Sequence, residues 1–255
     1  MQMYAAERQQ VILTQAATSG RVEVAQLADS LEVAAETIRR DLTALEKRGV
    51  VRRVHGGAIA VSRLEPEPTL ATRSTRFPDV KRRIASRVLE QLPQGGTVLL
   101  DAGSTTLAII DLLPHDIELT VLTNSIPAIA PLASRPGIEL FVLGGRVRGV
   151  TGAMVGDWTV DALMSVVIDV AVIGTNGMSA SRGFTTPDQA EAHAKRAMVA
   201  AARRVVVAAD STKAGDDHFH RFAKVDDVDV VVTDTDLACD FADELRAAGP
   251  EVVLA

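Results

Sequence analysis

The chain reads as an α/β protein of two parts, an N-terminal winged helix-turn-helix joined to a mainly parallel α/β sheet domain. Three observations predict this. A short amphipathic helix over 35–47 runs straight into a basic, β-rich hairpin over 50–61. From Gly96 onward, strand, small polar turn and helix alternate to the C-terminus. The charge is also divided: residues 1–88 hold 15 Lys and Arg against 10 Asp and Glu, whereas residues 89–255 hold 12 against 23. The net charge of −6 hides that split. A basic front on an acidic back implies two jobs, with only the front attracted to phosphate.

Residues 7–17 are helix-compatible, with Val11 and Ile12 as apolar anchors. Over 22–33, Val24, Leu27, Ala28 and Leu31 keep the helical period, and only a tight turn fits before Ala35. In the next helix, Ile38, Leu42 and Leu45 share one face, while Glu36, Arg40, Thr43 and Lys47 point away. Thr37 and Arg39 flank that outer face, and Gly49 supplies a stop. Beyond it VVRRVHGGAIAV is broken by Gly56-Gly57, the pattern of a short hairpin. A lone helix with a charged face is usually just solvated. The preceding helix, at tight-turn spacing, favours a recognition helix for the major groove with a wing against the backbone.

Residues 62–79 contain Pro66, Pro68 and Pro78 with little apolar periodicity, and read as a linker between domains at 1–61 and 80–255. Helical patterning resumes with Val80, Ile84, Val88 and Leu92 inward and Lys81, Arg82 and Arg83 outward as a solvated face. Short β-branched runs follow at 97–100, 119–122, 139–143, 170–173, 205–208, 228–232 and 252–254. Helix-compatible segments at 106–113, 126–133, 159–164, 190–203 and 239–248 separate most of them. That alternation predicts a mainly parallel sheet with helices on both faces.

In such sheets ligands sit beyond the carboxyl ends of the strands. The loops there are small and polar: Asp101-Ala102-Gly103-Ser104-Thr105-Thr106, Thr123-Asn124-Ser125, Gly144-Gly145-Arg146, Gly174-Thr175-Asn176-Gly177, 183–188 and Asp210-Ser211-Thr212-Lys213. Each alone suits an ordinary turn. Together, with a helix N-terminus after Gly103, they predict a polar cleft that accepts an anion. There is neither a P-loop nor a Gly-x-Gly-x-x-Gly fingerprint.

Hydrophobic residues make up 47% of the chain and aromatic ones 3%, so the expected core is aliphatic. No apolar run is long enough to span a bilayer, and MQMYAAERQQ lacks a signal-peptide core. The single cysteine, Cys239, fits a reducing cytoplasm and a structural role. Asp216-Asp217-His218-Phe219-His220 places a His-x-His pair beside carboxylates, a pattern weighed as a zinc site and read as a solvated loop. No metal or cofactor is expected.

Val33, Thr37-Ile38-Arg39-Arg40-Asp41-Leu42 and Arg53-Val54-His55-Gly56-Gly57-Ala58 resemble, in type and spacing, the motif of the DeoR/GlpR family of bacterial transcription regulators. One departure is Ala34 where the family has a capping Ser, a loss of about 0.5–2 kcal/mol that Glu36 offsets in part through the helix dipole. The sheet-domain loops, with Lys195-Arg196-Ala197-Met198, stand in the order of that family's effector domain, which is similar in fold to ribose-5-phosphate isomerase.

The resemblance implies operator DNA as one partner, met by Ala35, Glu36, Thr37, Arg39, Arg40, Lys47, Arg52, Arg53 and His55. It implies a phosphorylated sugar as the other. Gly103, Ser104, Thr105 and Lys213 are then candidates for its phosphate, and Asp101, Thr123, Asn124 and Lys195 for its hydroxyls. Thr106, Gly145 and Arg146 complete the candidate set. MYAAERQQ and the style of the motif look like regulators of fructose uptake, which makes fructose 1-phosphate the first candidate effector. A homodimer or homotetramer is expected, since one small winged helix offers little contact area. Two other readings compete. A sugar-phosphate isomerase needs an acid that the 174–177 loop lacks, and an architectural DNA-binding protein leaves the polar loops unexplained.

Overall fold

Apolar residues three or four apart, on three short helices, build the first of two units. The computed structural model describes residues 5–19, 21–47, 50–54, 56–60 and 67–255, and the chain divides between residues 66 and 67. In the first unit α1 (Ala5–Ser19), α2 (Val24–Ser30) and α3 (Ala35–Lys47) surround Ile12, Leu27, Ile38, Leu42 and Leu45, all nearly or wholly sealed from solvent. Strands β1 (Arg21–Glu23), β2 (Val51–Val54) and β3 (Gly57–Ala60) form an antiparallel sheet in the order β1-β3-β2. The helix expected from residue 22 therefore starts at Val24, because Val22 is drawn into the sheet opposite Ala58. That pairing brings β1 so close that a Cβ on Gly57 would strike the Val22 carbonyl.

The turn between α2 and α3 closes through Val33 N–H to Ala28 O at 3.0 Å, with Glu32 left-handed at φ 52°. Asp41, buried on α3, ties that helix to α1. It accepts from Arg8 Nε at 2.5 Å and from Gln9 Nε2 at 3.1 Å. Gly49, the expected stop, lies outside the described residues.

The second unit starts earlier than the Pro-rich composition implies. Residues 67–79 are not connecting chain: α4 (Leu70–Thr75) is capped by Thr69, and Leu70 N–H donates to Val150 O at 2.8 Å. Helix α5 (Pro78–Leu89) follows, then β4 (Thr97–Leu100), α6 (Ser104–Leu112), β5 (Leu119–Thr123), α7 (Ile126–Ala133) and β6 (Ile138–Val142). A ribbon of β7 (Arg146–Arg148) and β8 (Ala153–Val155) leads to α8 (Asp157–Met164) and β9 (Ile168–Gly174). After β10 (Gly177–Ser179) and β11 (Gly183–Thr186) come α9 (Gln189–Ala201), β12 (Ala202–Ala208), β13 (His220–Ala223), β14 (Val230–Thr233), α10 (Cys239–Ala247) and β15 (Glu251–Leu254).

The central sheet runs β15-β14-β12-β9-β4-β5-β6, every neighbour parallel. Strand alternation sorts its side chains into two cores. Leu99, Ala171, Ile173, Val205 and Val207 pack under α8, α9 and α10. Val98, Leu100, Val170, Val172 and Val206 pack under α5, α6 and α7. Burial on both faces is why the runs 170–173 and 205–208 within these strands are wholly apolar. After β6 the chain returns past β4 to lay β9 on its other side, so the strand order reverses between β4 and β9. That reversal opens a crevice at their carboxyl ends. Strands β10, β11 and β13 form a small antiparallel sheet, absent from the sequence-based expectation, which reads 174–188 as loop.

Candidate functional site

The crevice at the β4–β9 reversal is a cleft partly open to solvent. The loop after β4 forms one wall. Gly103 precedes α6 without a side-chain cap, so the first-turn N–H groups of Ser104, Thr105 and Thr106 have no intrahelical partner. Thr106 also lines this wall; it is 1% exposed, and its Oγ1 has no hydrogen-bond partner among the described residues.

The floor is Asp101 with Lys195. The Lys195 ammonium donates to Asp101 Oδ2 and, at 2.8 Å, to Gly174 O, and stands 5.4 Å from the Phe222 ring centre. Gly174 N–H donates to the same Asp101 oxygen at 3.1 Å. Burial pushes the Asp101 carboxyl above the ordinary carboxylate range, and the Lys195 ammonium pulls it back. One helical turn before Lys195, Glu191 accepts from the Thr151 hydroxyl at 2.5 Å and pairs with Arg148 at 3.1 Å. Arg148 also grips Glu67 at 2.6 Å and Asp188 at 3.0 Å.

The remaining wall is cationic. Lys213, Arg73, Arg76 and Lys81 all line the cleft, and Lys213 has no ion-pair partner among the described residues. Lys81, expected on a solvated face, is only 5% exposed. Its ammonium donates to Arg73 O and, at 2.6 Å, to Arg76 O. Burial pushes the Lys81 ammonium below the usual lysine range; Asp210 raises it, while Lys213, Arg73 and Arg76 lower it further.

The structure thus gathers Gly103, Ser104, Thr105, Thr106, Lys195 and Lys213 about one cleft, with Asp101 directly behind Lys195. Four other candidates do not reach it. Thr123 is fully buried; its hydroxyl donates to Leu100 O at 2.7 Å and accepts from Ser125 N at 3.1 Å. Asn124 accepts from Ala102 N at 2.9 Å and donates to Met154 O at 3.2 Å. The polar groups of both are thus engaged with the backbone, Asn124 holding the 101–106 loop and Thr123 the end of β4. Gly145 has φ 136°, and a Cβ there would collide with Thr159 and Val155, so packing alone accounts for it. Arg146 is exposed on β7, and the arginine in the cleft network is Arg148, two residues on.

His218 is not free in solvent either: Nε2 lies 3.2 Å from Asn176 O, and burial pushes its pKa below the usual histidine value. Among the described residues no His, Cys, Asp and Glu group is arranged to hold a metal ion. No helix among them is long and apolar enough to cross a membrane.

In the first unit, the outer face of α3 brings Glu36, Arg39, Arg40, Thr43, Lys47 and Arg53 around a shallow concavity. The Arg40 side chain projects, 82% exposed, and Glu36 pairs with Arg39 at 3.3 Å and with Arg40 at 3.8 Å. Arg53 is half-buried and staples the wing to the helix, donating to Thr43 Oγ1 at 3.0 Å and to Arg39 O at 3.4 Å. Ala35 packs on the core of the unit and Thr37 is half-buried, so these two contribute less to the exposed face than Arg39 and Arg40. Only the backbone of Arg52, paired with Ile59, is described, and His55 lies outside the described residues.

Two family models match the chain. A DeoR-like helix-turn-helix domain covers residues 8–63, and a DeoR C terminal sensor domain covers residues 77–235. The HTH-type transcriptional regulator GlpR of Haloferax volcanii is 36% identical over 98% of this chain and 98% of its own length. The HTH-type transcriptional repressor GlcR of Bacillus subtilis is 30% identical over 99% of this chain and 97% of its own. Among solved structures, ribose 5-phosphate isomerase A from Neisseria gonorrhoeae overlaps 58% of this chain and 56% of that chain, with a TM-score of 0.41 and 17% identity. The curated relatives are named as regulators, which sets aside the isomerase alternative. An α3 face bearing arginines on a helix-turn-helix, a seven-stranded parallel sheet with a cationic cleft, and relatives matched end to end place this chain in the DeoR family of transcriptional regulators.

Proposed function

We propose that the protein represses an operon for sugar uptake or catabolism and is released from its operator by a phosphorylated sugar. The α3 face reads the major groove, Arg40 foremost. The effector's phosphate sits at the start of α6 beside Lys213, with its hydroxyls toward Lys195 and Glu191. The observation that carries this reading is the cleft at the sheet's reversal point, where uncapped helix amides meet Lys213, a cation with no carboxylate partner among the described residues. The names of the relatives support the repressor assignment; one is a glycerol-3-phosphate regulon repressor from Escherichia coli. On this reading the Asp101–Lys195 pair orients a ligand and does not turn it over. A homodimer or homotetramer presents two or more α3 faces to a repeated operator.

The test is a thermal-shift screen of sugar phosphates, with fructose 1-phosphate first, on the full chain. An effector at 100 times its Kd raises stability by about 2.7 kcal/mol. Lys213→Ala is expected to abolish that shift while leaving DNA binding intact. If no phosphorylated sugar stabilises the wild type, the cleft is misread. If one is converted to its isomer, the protein is an enzyme.

A further inference from the structure

The edge of the central sheet at β6 breaks the rule that its interior strands obey. A parallel sheet is covered on both faces, and the runs 98–100, 170–173 and 205–208 are buried throughout. In β6 the side chains alternate. Ile138 and Leu140 pack on the core under α5, α6 and α7, and Leu143, just past the strand, enters the core on the other face. Phe141 lies on that same face as Leu143, yet it is 51% exposed, and Val142 is 42% exposed. The opposite edge strand, β15, keeps Val252 and Val253 buried.

The backbone of β6 is open on one side. Leu119 N–H donates to Gly137 O at 3.0 Å and Leu143 N–H to Thr123 O at 2.9 Å, so the odd-numbered residues bond to β5. By alternation Leu140 and Val142 turn their N–H and C=O groups the other way, where β6 ends the sheet. Natural edge strands are commonly blunted by lysine, proline or a bulge. Residues 138–142 contain neither lysine nor proline and pair one-to-one with β5. More exposed apolar side chains gather at the same end of the strand. The Thr159 hydroxyl donates to Gly144 O at 2.6 Å, which ties the start of α8 and its exposed Trp158 to the end of β6, and exposed Val147 follows on β7. An apolar patch at an open sheet edge marks an interface.

We propose that a second copy of the chain joins at this edge, its β6 pairing antiparallel with β6 of the first about a two-fold axis at Phe141. In that register Leu140 of each copy opposes Val142 of the other, and their outward N–H and C=O groups close four hydrogen bonds. Phe141 meets its own counterpart across a non-hydrogen-bonded pair, where side chains approach most closely. The occupant is a second copy for two reasons. The pattern is self-complementary, as a two-fold contact requires. An antiparallel approach also brings the Glu139 end of one strand toward the Arg146 end of the other. Arg146 is exposed without an ion-pair partner among the described residues, and residues 140–142 carry no charge to repel their copy. The proposal rests on the repressor reading for why a pair is needed, namely two α3 faces for a repeated operator.

Sedimentation velocity on the full chain at micromolar concentration reads the assembly, and disulfide cross-linking reads the register. Wild type is expected to sediment as a dimer or tetramer. Phe141→Glu sets two carboxylates against each other across the axis and is expected to weaken self-association about tenfold or more. A dimer then falls to monomer, or a tetramer to dimer. Phe141→Cys, in a Cys239→Ser background, is expected to form a disulfide between copies on mild oxidation, because the Cβ atoms of such a pair lie about 4.5–5.5 Å apart. Leu254→Cys in the same background, on the opposite edge, is the control and is expected to stay uncross-linked. A monomeric wild type overturns the proposal, whether the edge stays bare or another protein takes it. So does an assembly that Phe141→Glu leaves unchanged, or an oligomer that Phe141→Cys does not cross-link. If Phe141→Glu fails to fold, the cross-link decides alone. The repressor reading falls separately: a wild type that pairs through residue 141 but neither binds DNA nor is stabilised by any sugar phosphate retains the interface and not that function.

Discussion

His218 shows how a residue's surroundings change its chemistry. Burial lowers its pKa below 6.5, with the Asn176 carbonyl opposing the shift and the Lys213 charge adding to it. Between that lowered value and about 6.5, the unfolded chain takes up a proton that the folded chain refuses. Stability therefore rises with pH through this window and is lost on acidification. In melts from pH 7.5 to 5.5, wild type is expected to lose more of its Tm than His218→Gln, whose amide does not titrate. Equal losses would show that His218 is charged in the folded state. The same scale shows why some site residues are legible in sequence and others are not. Ser104, Thr105 and Lys213 declare themselves by lying just past strands. Thr123, Asn124 and Gly145 have the same appearance, but their polar groups and lack of bulk serve the backbone. Lys81 is hidden by its neighbours: three consecutive cations look like a solvated face, and only packing shows that the first is buried.

At the scale of elements, long and strongly patterned segments are the ones read correctly. Helix α3 declares its buried face through Ile38, Leu42 and Leu45, and β9, β12 and β14 declare themselves through uninterrupted apolar runs. Helix α4 has six residues, none of them buried, between prolines at 68 and 78, so no period marks it. The strands of three or four residues in the two antiparallel additions are equally silent, because pairing with distant partners decides them. Within the DNA-binding unit the structure separates two arginines that look equivalent in sequence. Arg40 projects from α3, whereas Arg53 is bonded to that helix. Arg40→Ala is expected to weaken specific DNA binding by ~1–3 kcal/mol, as for a side chain that reads a base edge, with little change in Tm. Arg53→Ala also releases the wing from Thr43 and the Arg39 carbonyl, so it is expected to lower unfolding stability by about 0.5–1.5 kcal/mol as well. Fluorescence anisotropy with operator and random duplexes, beside chemical denaturation, distinguishes them. A stable Arg53→Ala with wild-type DNA affinity would count against the staple.

At the scale of the whole molecule, an effector releases the protein from DNA only if it binds the DNA-free form better than the DNA-bound form. The two units are joined covalently at residues 66–67, and Arg73 stands seven residues beyond Pro66. Coupling between sites of this kind is commonly 1–3 kcal/mol, about 5–150-fold in affinity, and it is reciprocal. Operator DNA is therefore expected to weaken sugar-phosphate binding by the same factor by which the sugar phosphate weakens operator binding. Measuring effector affinity with and without saturating operator gives that factor directly. In Glu67→Gln the carboxylate linking Arg73 to Arg148 is gone. Effector binding is expected to survive in this variant while its sensitivity to DNA shrinks. If DNA leaves the wild-type effector affinity unchanged, release by the effector is excluded even though both ligands bind. If the wild type is coupled and Glu67→Gln is coupled just as strongly, the signal travels by a route that does not include the Glu67–Arg73 pair.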